Sequence, residues 1–183
     1  MKSHGSQQIM IYALDFDGVI CDSPVELAMS GWQVARQIWP DMPESYDQAV
    51  ISAYRTVRPI IETGYETIPI MRLLQQGLSA EALMARYHDS ISEAIQSANT
   101  DVATLKQVFG EFRDQWIAND EASWLENNPL FAGIADKLRA RDGQNWYIIT
   151  TKQERFADKI LRANDISIPA ERLFGLDRNM TKQ

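Results

Sequence analysis

Cysteine is almost absent from the 183-residue chain: Cys21 stands alone, so no intrachain disulfide can form. With only two histidines, His4 and His88, no Cys/His cluster has zinc spacing. The expected setting is a reducing compartment. Positive charge is also in deficit, with 18 Lys and Arg against 25 Asp and Glu, for a net charge of −7. That balance argues against a general nucleic-acid or anionic-membrane binder, because phosphates are repelled at long range. Long apolar runs are missing too. Nothing approaches the ~20 apolar residues of a membrane helix, and the N-terminal run Ile9–Leu14 meets Asp15 and Asp17 at once, which a secretion signal would not tolerate. The reading is a soluble, cytoplasmic protein. Apolar residues nevertheless make up 45% and charged residues 23%, enough for a packed core.

The pattern along the chain is uneven. Ile9–Leu14 reads as a buried strand of a parallel sheet. Ser23-Pro24-Val25-Glu26 has the form of a capping box with Pro at the first helical position. Helical spacing then runs to about Ser123. It predicts a first helix ended by Pro40 and Pro43, then helices over 46–57, 67–76, 80–97 and 102–118. Residues 58–66 are hard to type. After Pro129 the chain predicts a helix over 131–141, a turn at Asp142-Gly143, and a second apolar strand, Trp146–Thr150. A second capping box, Thr151-Lys152-Gln153-Glu154, opens a helix to about Ala163, and 172–176 reads as a short third strand. Strand, helical insert, helix, strand, helix, strand is the grammar of an α/β Rossmann-like parallel sheet with an inserted all-helical cap. The expected division is a discontinuous α/β core over 1–22 and 126–183, incomplete at its C-terminal end, with the cap over 23–125.

In open parallel sheets ligands bind beyond the carboxyl ends of the strands, where Asp15 and Asp17 sit. Two residues apart on an extended backbone, their carboxylates share one side and repel unless a cation or a shared proton relieves them. Gly18 permits a tight turn directly after them. The pattern suits a divalent cation with oxygen ligands, Mg²⁺ above all where phosphate is also bound. Carboxylates also form aspartyl-phosphate intermediates.

The stretch Asp15-Phe16-Asp17-Gly18-Val19-Ile20-Cys21-Asp22-Ser23 resembles the first motif of the haloacid dehalogenase (HAD) superfamily of phosphohydrolases, in particular its phosphoglycolate phosphatase and β-phosphoglucomutase branch. Asn128–Ile134 is similar to the lead-in before that family's second motif, and Tyr147–Lys152 to the motif itself. The 23–125 insert matches only in position and helical character. The resemblance implies Asp15 as nucleophile and metal ligand, and Asp17 as general acid and base, with its backbone carbonyl also on the metal. It implies Thr150 as the hydroxyl that holds the phosphoryl group, at a helix N-terminus suited to anions. Lys182 is the expected charge-balancing lysine of the third motif, with Lys152 as its alternative. Gly18, Thr151, Lys152 and Arg58 are expected to line the substrate. Arg55 and Arg155 are weaker candidates.

The fourth motif, which supplies further acidic ligands, has no counterpart before Gln183, and Asp177 is a poor substitute. The expectation is therefore a fragment or a truncated chain with weakened magnesium binding. The function expected is Mg²⁺-dependent hydrolysis of a phosphomonoester on a small phosphorylated metabolite. The alternatives are a sugar-phosphate mutase of the same superfamily and a HAD-like domain with little or no catalysis. Neither nucleic acid nor membrane is expected as a partner, and the oligomeric state is not readable.

Overall fold

A computed structural model describes residues 10–140 and 146–178. The chain separates into two compact units, one of Met1–Cys21 with Leu130–Gln183, the other Asp22–Pro129. The first is mixed α/β. Its strands β1 (Tyr12–Leu14), β2 (Trp146–Ile149) and β3 (Leu173–Phe174) form one parallel sheet in that order. Leu14 pairs with Ile148, and Ile149 with Phe174. Strand β1 is shorter than the apolar run predicted. Met10 and Ile11 are exposed and Ala13 faces solvent, so the strand is not doubly covered as its composition suggests, and among the described residues it lies at the edge of the sheet. Buried side chains of the unit include Phe16, Ile20, Ile148, Phe156, Ile160 and Leu161.

The second unit is all helical: α1 (Pro24–Ile38), α2 (Gln48–Val57), α3 (Thr67–Gln75), α4 (Ala80–Ala85), α5 (Tyr87–Ser97) and α6 (Val102–Glu126). Its apolar stripes close on one core that contains Leu27, Trp32, Tyr54, Ile68, Leu83 and Leu105. The Tyr54 and Thr67 hydroxyls meet at 3.0 Å inside it, joining α2 to α3. Helix α1 is tied to α6 by a buried pair: Arg113 donates to both carboxylate oxygens of Glu26, at 2.7 and 2.5 Å. Ser30 donates to the same carboxylate, and the guanidinium lies 4.6 Å from the Phe109 ring centroid.

Several elements differ from the sequence reading. The helix expected over 80–97 is broken at Arg86, where φ is −130° and ψ 38°. Helix α6 runs on to Glu126, with a non-helical residue at Asp120. The untyped stretch 58–66 forms two short 3₁₀ turns, Arg58–Ile60 and Gly64–Glu66. The second turn carries a capping box of Thr63 and Glu66, whose carboxylate accepts from the Glu62 and Thr63 amides. Burial pushes the Glu66 carboxyl above its ordinary value, outweighing those two amides. The box expected at Ser23 is absent: the Ser23 side chain makes no cap bond to α1, and the Glu26 carboxylate is turned to Arg113. Helix α7 spans only Ile134–Arg139, and α8 spans Glu154–Ala163. The expected Asp142-Gly143 turn lies outside the described residues. Among those residues, no helix is long and apolar enough to cross a membrane.

Candidate phosphoryl site at the strand ends

The α/β unit builds its candidate site at the carboxyl ends of β1 and β2. Parallel register sets the Leu14 and Ile148 ends side by side, so the residues that follow each strand emerge together. Strand β1 ends at Leu14 and the chain bends at Phe16. The extended backbone from which the two-residue alternation was argued is therefore replaced by a turn. Asp15 Oδ1 accepts from the Phe16 amide at 2.7 Å. The Phe16 carbonyl accepts from the amides of Ile20 and Cys21 at 2.8 and 2.9 Å, and the Gly18 amide donates to the Cys21 carbonyl at 2.9 Å. Gly18 has φ +81°, a conformation that costs a side-chain-bearing residue about 1–2 kcal/mol. The loop is anchored where the Phe131 amide donates to the Ile20 carbonyl at 3.0 Å.

Asp17 is joined to the second strand's loop. Lys152 Nζ lies 3.0 Å from Asp17 Oδ1, with the lysine side chain 1% exposed and the aspartate 13%. The ammonium also sits 5.7 Å from the Phe16 ring centroid, a favourable cation–π placement. Thr150 is buried. Its Oγ1 accepts from the Lys152 amide at 3.0 Å, and its amide donates to the Phe174 carbonyl at 2.9 Å. Asp17, Lys152 and Thr150 thus form one hydrogen-bonded chain across the β1 and β2 ends, with Asp15, Gly18 and Thr151 adjacent in sequence.

The chain's fold is matched by a solved structure from Haemophilus somnus, described as a predicted phosphoglycolate phosphatase. The likeness has a TM-score of 0.52 at 16% identity and covers 94% of this chain. The fold is HAD-like. The chain spans 64% of the length of that neighbour. No family model matches the sequence, and no curated protein matches it.

Placed on this fold, the remaining sequence candidates divide. Lys182 lies outside the described residues. Arg58 belongs to the helical unit, where its Nη1 donates to the Ile61 carbonyl at 3.4 Å. Asp177 accepts from the Glu154 amide at 2.8 Å, so the first amide of α8 already serves the chain's own carboxylate. The capping box expected at Thr151 is not formed: the α8 N-cap is Gln153, without a side-chain bond, and Glu154 turns to the segment after β3. Glu154 Oε1 accepts from the Gly175 amide at 3.0 Å and from Arg178 Nε at 2.5 Å. Partial burial raises the Glu154 carboxyl, but the Arg178 and Gly175 bonds outweigh it and hold it below the ordinary carboxylate range. The sequence reading missed this role of Glu154, Gly175 and Arg178. A glycine directly after a strand was the one available signal.

The donor set can be tested against magnesium. Two carboxylates at a strand end, Asp15 and Asp17, suit a hard cation that takes one or two carboxylates and completes its shell with water and substrate phosphate oxygens. Among the described residues no group of three or more His, Cys, Asp or Glu could hold a metal ion. If a cation binds at these strand ends, Asp15 and Asp17 are the residues that would hold it, with water and substrate oxygens completing its shell.

Proposed function

We propose that the protein is a Mg²⁺-dependent phosphomonoester hydrolase of the HAD type, acting on a small phosphorylated metabolite through an aspartyl-phosphate on Asp15. The observation that carries this reading is the Asp17–Lys152–Thr150 chain, with Lys152 and Thr150 buried, following Asp15 at the carboxyl end of a parallel sheet. An acidic protein that takes a phosphate needs local positive charge, and Lys152 supplies it where the sheet opens. The Haemophilus somnus neighbour, a predicted phosphoglycolate phosphatase, supports the phosphatase class.

In the proposed reaction the Asp15 carboxylate attacks phosphorus in line. The bond to the leaving alkoxide breaks as Asp17, protonated from solvent once the phosphoryl oxygens draw the Lys152 ammonium from it, delivers that proton to the alkoxide. Water then attacks the aspartyl-phosphate with Asp17 as base, releasing inorganic phosphate and restoring Asp15. The Thr150 hydroxyl and the Lys152 ammonium hold the phosphoryl oxygens throughout. When bound, magnesium held by the Asp15 carboxylate and the Asp17 backbone carbonyl would neutralise charge on the phosphoryl oxygens.

The test is hydrolysis of an aryl phosphate with and without Mg²⁺. The parent chain is expected to turn over only with the metal. Asp15→Asn is expected to abolish turnover while leaving the thermal melt near the parent's. An Asp15→Asn protein as active as the parent would refute the nucleophile and the mechanism together.

A further inference from the structure

We infer that Glu154, Gly175 and Arg178 form a clasp that positions Lys152 on Asp17, so that Glu154 acts on the phosphoryl site through the backbone it fixes. The inference rests on the proposed phosphoryl chemistry for its kinetic consequence, but its geometry stands alone. Four contacts join Lys152 and Glu154, where the loop after β2 enters α8, to residues 175–178 after β3. The Leu176 amide donates to the Lys152 carbonyl at 3.1 Å, and the Glu154 amide donates to Asp177. The Glu154 carboxylate accepts from Gly175 and from Arg178. Arg178 is itself held, donating to the Ala170 carbonyl and lying 4.7 Å from the Phe174 ring centroid.

The approach is close enough to exclude a side chain at Gly175. A Cβ there would stand 2.5 Å from Glu154 Cγ and 2.7 Å from the Lys152 carbonyl oxygen. Two of the three obstacles are backbone, the Lys152 carbonyl oxygen and the Glu154 amide nitrogen, so a methyl must displace the 152–154 segment. Lys152 lies within that segment, with its ammonium on Asp17 and its amide on Thr150 Oγ1. Displacement of its backbone moves both contacts, and misplacement of a group by about 1 Å can cost a hundredfold in rate.

The clasp is read first without any activity, by the rate at which acetic anhydride acylates Lys152, measured by mass spectrometry against Lys137 and Lys159. In the parent Lys152 is buried and ion-paired, so it reacts slowly. Glu154→Ala and Gly175→Ala are each expected to raise Lys152 labelling about tenfold at unchanged Lys137 labelling. Glu154→Gln keeps an oxygen for the Gly175 amide and is expected to restore most of the protection. Arg162→Ala, which breaks only the exposed α8 pair with Asp158, is expected to behave as the parent. In aryl phosphate hydrolysis Glu154→Ala is expected to raise KM about tenfold and to lower kcat less, with Glu154→Gln intermediate. Lys152 labelling unchanged in folded Glu154→Ala and Gly175→Ala would overturn the clasp. So would equal losses in Glu154→Ala and Arg162→Ala. If Glu154→Ala does not fold, Arg178→Lys reads the same contact: raised labelling supports the clasp and parent-like labelling overturns it. A parent that labels as expected but hydrolyses no phosphate would leave the clasp standing and defeat the phosphatase reading alone.

Discussion

Lys152 carries charge into a place where an acidic chain has little to spare. Its side chain is 1% exposed, so the ammonium has left bulk water, a transfer that only paired partners can offset. Asp17 supplies the opposite charge and Phe16 a polarisable face. Replacing the lysine by methionine keeps the apolar stem but strands a partly buried carboxylate. Breaking such a pair from one side costs 3–5 kcal/mol when both partners are fully buried. Asp17 keeps 13% exposure, so Lys152→Met is expected at the lower end, about 3 kcal/mol, measured by urea unfolding. The same variant removes a donor for the phosphoryl oxygens and is expected to lower kcat/KM for an aryl phosphate by about 10²-fold. A Lys152→Met chain as stable and as active as the parent would show that the pair is incidental.

Between α1 and α6 the decisive contact is also ionic. Glu26 is fully buried and Arg113 is 4% exposed, so neither has water to fall back on. Arg113→Met is expected to destabilise the chain by about 3–5 kcal/mol in urea unfolding. Glu26→Met combined with Arg113→Met is expected to recover most of that loss, because no orphaned charge remains; an equally damaged double variant would mean that packing matters more than charge. This pair also explains where local sequence signals fail. Apolar spacing marked α1, α2, α3 and α8, because burial of one face is written into each segment. Capping boxes were read at Ser23 and at Thr151, and neither forms. In both places the glutamate that would complete the box has a better partner far along the chain, Arg113 for Glu26 and Arg178 for Glu154. The box that does form, Thr63 with Glu66, lies in the segment that periodicity could not type. Arg86, which splits α4 from α5, carries no Gly or Pro signal at all.

Across the whole molecule, the placing of Asp15 and Thr150 at one end of the sheet was legible in sequence, because each closes an apolar run and a parallel sheet aligns such ends. The clasp was not, since it depends on the spacing of β3 from α8, which only the folded chain defines. Division into two units has its own consequence. The apolar cluster of the helical unit, the Glu26–Arg113 pair, the Tyr54–Thr67 bond and the Thr63–Glu66 box all lie within 22–129. The ends of that stretch meet, with the Asp22 amide donating to the Pro129 carbonyl at 2.8 Å. A segment with its own core and adjoining ends meets the requirements for folding alone. Residues 22–129, expressed by themselves, are expected to give a helical circular dichroism spectrum and one cooperative thermal transition. Arg113→Met is expected to lower that transition as it does in the full chain. A fragment that is helical but melts without cooperativity would mean that the α/β unit completes its packing, and the two units would then have to be treated as one folding unit.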